Sequence, residues 1–331
     1  MFADLVLEGG GVKGIGLVGA VSVLEERGYQ FKRVAGTSAG SIVGALVAAG
    51  MSASDIEAAM KKLDYNKFQD GDLLDRVGHV GKGISLLLKQ GIYLGNYARS
   101  WVSDQLRGAG VRTFGDLAYN DTEHPLPPER AYRLVVMTSD VSQGALRRLP
   151  WDFGRYDCVT DQQPVADAVR ASMSIPFFYR PVSMTDHVTH KRCLLVDGGM
   201  LSNFPIDVFD APADREPRWP TFGIKLSARP GAMDGVINDV HDTISLTRAM
   251  IGTMTGFYDR LHIDDPSVLD RTIFVDTGGV KATQFDLDEK TQQMLFDNGR
   301  AAAERFFDGK QGHPGWDWDA FKQKYRSADP H

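Results

Sequence analysis

Three groups of residues carry the chemistry this chain can offer. The first is Gly36-Thr37-Ser38-Ala39-Gly40, the only Gly-x-Ser-x-Gly in the sequence, set between a short apolar run and a stretch of small residues. A strand turning sharply into a helix there lifts the serine hydroxyl to the crest of the turn. Gly36 and Gly40 let the two backbones pass with no side chain between them. The helix start adds free N–H groups and a positive dipole end beside any charge that develops.

The second group, Gly9-Gly10-Gly11-Val12-Lys13-Gly14, follows an apolar run and admits three readings. As a dinucleotide fingerprint, Gly9-x-Gly11-x-x-Gly14 calls for an acidic residue about twenty positions on to hold a ribose. No Asp or Glu lies between Glu26 and Asp55. As a bare tight turn it holds no ligand. As an oxyanion hole, its backbone N–H groups face the oxygen of a reacting ester. Lys13 adds positive potential, is a solvated residue or ties to a nearby carboxylate, and is assigned no catalytic part.

The third group must take the serine's proton. Ser38, Asp197 and then His241 or His262 match the order of a hydrolase triad, but only one strand–helix unit precedes Ser38, and both histidines fall in predicted helix without turn chemistry. Asp197-Gly198-Gly199 closes a predicted strand, where ligands gather in parallel sheets, and the glycines leave room for close approach. The competing reading is an ordinary Asp-Gly turn. An aspartate works as a base near neutrality only if burial raises its pKa above the usual ~4.

The elements that would position these groups read as follows. Asp4 to Leu7 is a strand, a helix with Leu17, Val18, Val21 and Leu24 on one face follows the glycines, and Gly28 ends it. Phe31 to Ala35 is the second strand and Ser41 to Ala49 the helix behind the serine. This β-α-β-α opening marks a parallel sheet with helical crossovers. Asn96 reads as the cap of a helix to about Arg107. Further strands are Arg133 to Ser139, Cys193 to Val196, Thr221 to Leu226 and Thr272 to Val275; further helices are Pro164 to Met173, Asp239 to His262 and Asp288 to Phe307. The apolar run Ile84, Leu86, Leu87, Leu88, Ile92 and Tyr93 is either a lid that meets a membrane or a buried helix. Beyond about Gly309 the chain is polar and irregular apart from Trp316, Trp318, Phe321 and Tyr325, which are candidates to dock on the domain.

Composition narrows the field. The 331 residues, 43% apolar, suffice for a large core, and a net charge of −6 argues against nucleic acid as a partner. Two cysteines, Cys158 and Cys193, are too few for a disulfide framework or a zinc site. Ala3 to Leu7 reads as a strand rather than a signal peptide, having no basic region or long apolar run before it, and the longest apolar run, Ile42 to Met51, reads as a buried helix too short to span a bilayer. A soluble cytoplasmic protein is expected, with peripheral contact at membranes allowed.

Together the three motifs resemble those of the patatin-like phospholipases. Gly91-Ile92-Tyr93-Leu94-Gly95, Ala171-Ser172-Met173-Ser174-Ile175-Pro176 with Pro181, and Asn203-x-Pro205 are similar to that family as well. Glu8 departs from it, standing where many members carry aspartate or a small residue. The resemblance covers roughly residues 4–307 as one domain and leaves 308–331 as a polar C-terminal tail. It implies a three-layer α/β/α sandwich with a mostly parallel central sheet and a serine–aspartate dyad without histidine. Ser38 would be the nucleophile and Asp197 the general base. The amides around Gly10, Gly11 and Val12, in the loop from Gly9 to Gly14, would form the oxyanion hole, with Lys13, Gly36, Gly40, Gly198 and Gly199 as motif support. The implied reaction is hydrolysis of fatty acyl esters in phospholipid or another acyl lipid, with no cofactor and no metal. Two other functions stay open: a serine esterase or thioesterase for small soluble acyl esters, and a non-catalytic lipid-binding relative.

Overall fold

A computed structural model describes residues 1–71, 91–212, 215–226, 265–309 and 314–326, with the single positions 240, 249 and 253. Strand β1 (Phe2–Leu7) leads through a 3-10 turn at Gly11–Gly14 into helix α1 (Ile15–Glu26), and β2 (Gln30–Thr37) leads directly into α2 (Ala39–Ala48). Then come α3 (Ala53–Lys61), the short strand β3 (Gly91–Tyr93), α4 (Asn96–Gly108), β4 (Leu134–Asp140), β5 (Ala145–Leu149) and α5 (Val165–Ser172). The remainder is β6 (Phe177–Tyr179), β7 (Val182–Thr185), β8 (Arg192–Asp197), β9 (Thr221–Lys225), α6 (Pro266–Asp270), β10 (Thr272–Phe274), α7 (Glu289–Asp308) and α8 (Trp318–Tyr325). The predicted helix at Asp239 to His262, apart from the single positions 240, 249 and 253, lies outside the described residues, as do the apolar residues Ile84 to Leu88, His241 and His262.

The main sheet runs in the order β10-β9-β1-β2-β4-β8-β7, with β5 also on β4. β10, β9, β1, β2 and β4 are parallel, as their crossovers require, while β8 and β5 run antiparallel to β4. Alternation sorts the side chains. Leu5, Leu7, Val34, Leu134 and Val136 join the core with α1, α2 and α7. Val6, Ala35, Val135 and Met137 point the other way, onto Phe204, Ile206, Phe209 and Val268. Both faces are thus dry, which is why these strands read as unbroken apolar runs.

Helix α1 differs from the single-faced helix that its sequence suggests. It is buried without a break from Ile15 through Val21, and again at Val23 and Leu24, because α7 covers the side away from the sheet. A Cβ at Gly19 would lie 2.0 Å from the Phe296 carbonyl oxygen, and one at Gly299 2.0 Å from that of Gly16, so glycines on both helices set their close approach. Asn96 is not a cap either. Gly95 occupies that position at φ 71°, and the orphan amides of Gly95 and Tyr97 donate to the Asp70 carboxylate at 2.6 and 2.8 Å. The cap comes from 25 residues upstream, where local spacing gives no sign of it. At the C-terminus the chain is not irregular throughout: α8 buries Phe321, and Trp316 stacks on Phe306.

Candidate active site

The register of β4 explains why Ser38 and Asp197 meet. β5 occupies one flank of β4 from Val136 to Asp140, so β2 and β8 must share the other. β2 runs up that flank and ends with Thr37 opposite Met137. β8 comes down it antiparallel and ends with Asp197 opposite Thr138. The two strands point at each other end to end, and the residues at their junction are Ser38 and Asp197. Asp197 therefore reaches the site from an antiparallel strand, a different route from the parallel strand end expected from the sequence.

At the junction the backbone is strained. Ser38 has φ 51° and ψ −120°, a region that costs a non-glycine residue about 1–3 kcal/mol. The surroundings enforce it: a Cβ on Gly36 would lie 2.2 Å from the Gly40 carbonyl oxygen, and one on Gly40 2.3 Å from that of Leu7. The Ser38 N–H donates to Ser172 Oγ at 2.9 Å, and the Ser172 hydroxyl donates onward to the Met137 carbonyl at 2.6 Å. The Ser38 carbonyl accepts from the Ser41 hydroxyl at 2.6 Å.

Asp197 is buried, with the Ser38 side chain close enough to favour its carboxylate. Burial raises its pKa to about 6, against the opposing pull of the Gly199 N–H, which donates to Oδ1 at 2.8 Å, and of Ser38. Its own N–H donates to the Ser174 carbonyl at 2.9 Å. The segment Ser172 to Ser174 thus holds both partners, one by a hydroxyl and the other by a carbonyl. Arg170 braces it from within the core, its Nη1 donating to Ser174 Oγ at 2.5 Å and its Nη2 to the Arg180 carbonyl at 2.9 Å. Ser172 and Ser174 lie within the Ala171–Pro176 stretch that resembles the family, but their roles as struts, and that of Arg170, emerge only from the fold.

The glycine loop lies against the same junction, since a Cβ on Gly9 would come 3.2 Å from Ser38 Cβ. Three of its amides are already engaged: Gly9 N–H donates to the Asn203 carbonyl at 3.2 Å, Val12 N–H to that of Ala282 at 3.0 Å and Lys13 N–H to that of Gly10 at 3.3 Å. This removes Gly9 and Val12 from the expected set of donors. Among the described residues the Gly10 and Gly11 N–H groups meet no acceptor. Gly11 has φ 58°, and a Cβ there would strike the Ala282 oxygen at 1.9 Å. Gly14 is less demanding, with 3.5 Å to Ala39 Cβ. Gly198 is not, for a Cβ on it would sit 2.3 Å from the Met137 oxygen.

Glu8, the departure from the family pattern, has a structural part. Its carboxylate pairs with buried Lys225 and accepts from the Leu226 N–H at 2.5 Å, pinning the end of β9 beside the loop. Burial lowers the pKa of Lys13, and its Nζ reaches the Leu226 carbonyl at 3.4 Å.

A cavity of about 40 Å³ opens beside Ser38, walled by Gly11, Ile42, Phe68, Met173, Tyr179 and Phe285 among others. Tyr65 also lines it, and the Tyr65 hydroxyl is buried with no partner among the described residues. Among the described residues no histidine lines this cavity; His187 and His190 both bond to exposed Asp157.

Comparison with known proteins agrees with this architecture. The family model described as patatin-like phospholipase matches residues 5–210. The chain belongs to the patatin-like phospholipase family. Among its relatives, the Bacillus subtilis (strain 168) "Uncharacterized protein YqhO" is 36% identical over 92% of this chain and 98% of its own length. The Mycobacterium bovis "Uncharacterized NTE family protein Mb2594" is 30% identical over 64% of this chain, which spans only 29% of that larger protein. Of the solved structures, VipD from Legionella pneumophila overlays with a TM-score of 0.49 at 19% identity, covering 92% of this chain and 66% of that one. Among the described residues, no helix is long and apolar enough to cross a membrane.

Proposed function

We propose that this patatin-like protein is a lipid acyl hydrolase of the phospholipase A or lysophospholipase type, working through a Ser38 acyl-enzyme with Asp197 as general base. The observation that carries the reading is the end-to-end meeting of β2 and β8, which sets a strained serine against a buried aspartate with a pKa of about 6. Above that pH the carboxylate takes the Ser38 proton as Oγ attacks the acyl carbonyl. The carbonyl oxygen becomes negative within reach of the Gly10 and Gly11 amides, which meet no acceptor among the described residues. Collapse expels the lipid alcohol, which takes the proton from Asp197. Water, deprotonated by Asp197, then attacks the acyl-enzyme and releases the fatty acid. No histidine takes part.

The small cavity at Ser38 favours a second reading, an esterase for short acyl groups on soluble alcohols. A panel of esters graded by acyl length and head group separates the two. The primary test is fatty acid release from mixed phospholipid vesicles. Ser38→Ala should lower it by at least about a thousandfold with the fold intact; release above that level from the variant would refute the assignment of the nucleophile.

A further inference from the structure

A large cleft lies at the other end of the strands from Ser38. It measures about 590 Å³, within the usual size of small-molecule sites, and opens where β1, β9 and β10 begin, at Asp4, Thr221 and Arg271. Six arginines and four carboxylates line it. Pairing them off is informative. Arg33 holds Asp4, Arg218 holds Asp121, and Arg271 and Arg326 share Asp210. The fourth carboxylate, Glu216, is taken by Lys322. Arg130 and Arg215 are left without a carboxylate among the described residues, in a chain whose net charge is −6.

The other unsatisfied groups in this wall are also donors. Arg271 Nε and Trp151 Nε1 are buried and lack hydrogen-bond partners among the described residues. Native interiors leave few such atoms, and donors without acceptors call for an anion. Aromatic rings share the wall: Trp151, Trp219 and Trp318 line the cleft, with the Arg130 guanidinium 5.4 Å from the Trp151 ring centre. We infer that this cleft binds a small anion carrying an aromatic ring system, the chemistry that a nucleoside monophosphate presents, with Arg130 and Arg215 on the anionic group and the indoles on the ring.

Three of the five tryptophans line the cleft, so intrinsic fluorescence reports its occupancy. The experiment titrates the full chain with AMP, adenosine and inorganic phosphate at fixed ionic strength. AMP should give a saturable change below ~1 mM, with adenosine and phosphate each at least about tenfold weaker. The double variant Arg130→Ala/Arg215→Ala, both exposed positions, should weaken AMP at least about tenfold while labelling of Ser38 by a fluorophosphonate proceeds as in the parent. Arg215→Glu alone should weaken AMP in the same direction. Absence of a saturable AMP signal, adenosine or phosphate binding as tightly as AMP, or unchanged AMP affinity in the double variant would each overturn the inference. None of these outcomes bears on the Ser38 reading.

Discussion

The two ends of the sheet solve opposite problems. At the end holding Ser38, the cavity is about 40 Å³, the polar groups are buried, the serine backbone is strained, and the burial that raises the Asp197 pKa is only partly offset by the donors around it. At the other end, about 590 Å³ of open cleft is lined by charges mostly neutralised in pairs. Size alone would direct attention to the wrong end for the hydrolysis proposed here. Chemistry is better located by where the fold tolerates cost: a positive φ on a serine, and a carboxylate kept dry with too few donors around it.

The contrast breaks most directly at Asp197. If it is the base, Asp197→Asn should lower kcat/KM for vesicle lipid by about 10²–10⁴-fold, measured under conditions where the parent is unaffected by lipid supply. The parent's kcat/KM should rise with pH through about 6 and then level off, since only the ionised carboxylate accepts the proton. A rate independent of pH across that range, or an active Asn variant, would return histidine to consideration.

The same substitution sharpens the comparison on the stability side. The folded pKa of Asp197 is raised from 3.8 to about 6, so the native state holds the proton more tightly than the unfolded chain. Stability from this group is full below pH ~4 and is lost as pH rises through about 6. Asp197→Asn removes that loss. It should therefore gain up to about 3 kcal/mol over the parent at pH 8, and little at pH ~4, by urea unfolding. A site built for reaction should become more stable when disabled.

Much of this was legible in the residues because the constraints are local. Gly36, Ser38 and Gly40 mark a strand–helix crossing whose sterics hold in any surroundings, and the glycine loop and Asp197-Gly198-Gly199 are equally compact signals. What stayed hidden is non-local. That β8 runs antiparallel and meets β2 head-on depends on β5 occupying the other flank of β4. Asp70 caps α4, Ala282 claims the Val12 amide, and Arg170 braces Ser174, each across a sequence gap or through the core where no periodicity points. The two-sided burial of α1 was missed for the same reason, since its second partner, α7, arrives at the far end of the chain.

Ser172 tests whether the dry end is as rigid as its hydrogen bonds suggest. Ser172→Ala leaves the Ser38 N–H without an acceptor and the Met137 carbonyl without that donor, in a fully buried setting. The cost should be about 1–3 kcal/mol in the urea midpoint. Activity should fall with it through a lower kcat and a nearly unchanged KM, because the serine is displaced and the lipid contacts are not. Ser172→Thr, which keeps the hydroxyl, should recover part of the loss.

The smallest effect belongs to the open end. Arg218 pairs with Asp121 and, at 3.0 Å, with Glu123, yet its side chain is 35% exposed and the Glu123 side chain 76%. Solvent screens such pairs, so Arg218→Ala should cost under ~1 kcal/mol, and the difference from the parent should shrink as salt is added. Hydrolysis at Ser38 should be unchanged. A loss as large as that from Ser172→Ala would mean that the basal ion pairs carry the sheet as firmly as the buried struts do, and the division between a costly, rigid end and a cheap, adaptable one would fail. The salt series makes that distinction inside a single variant, because a screened surface pair fades with ionic strength and a buried hydrogen bond does not.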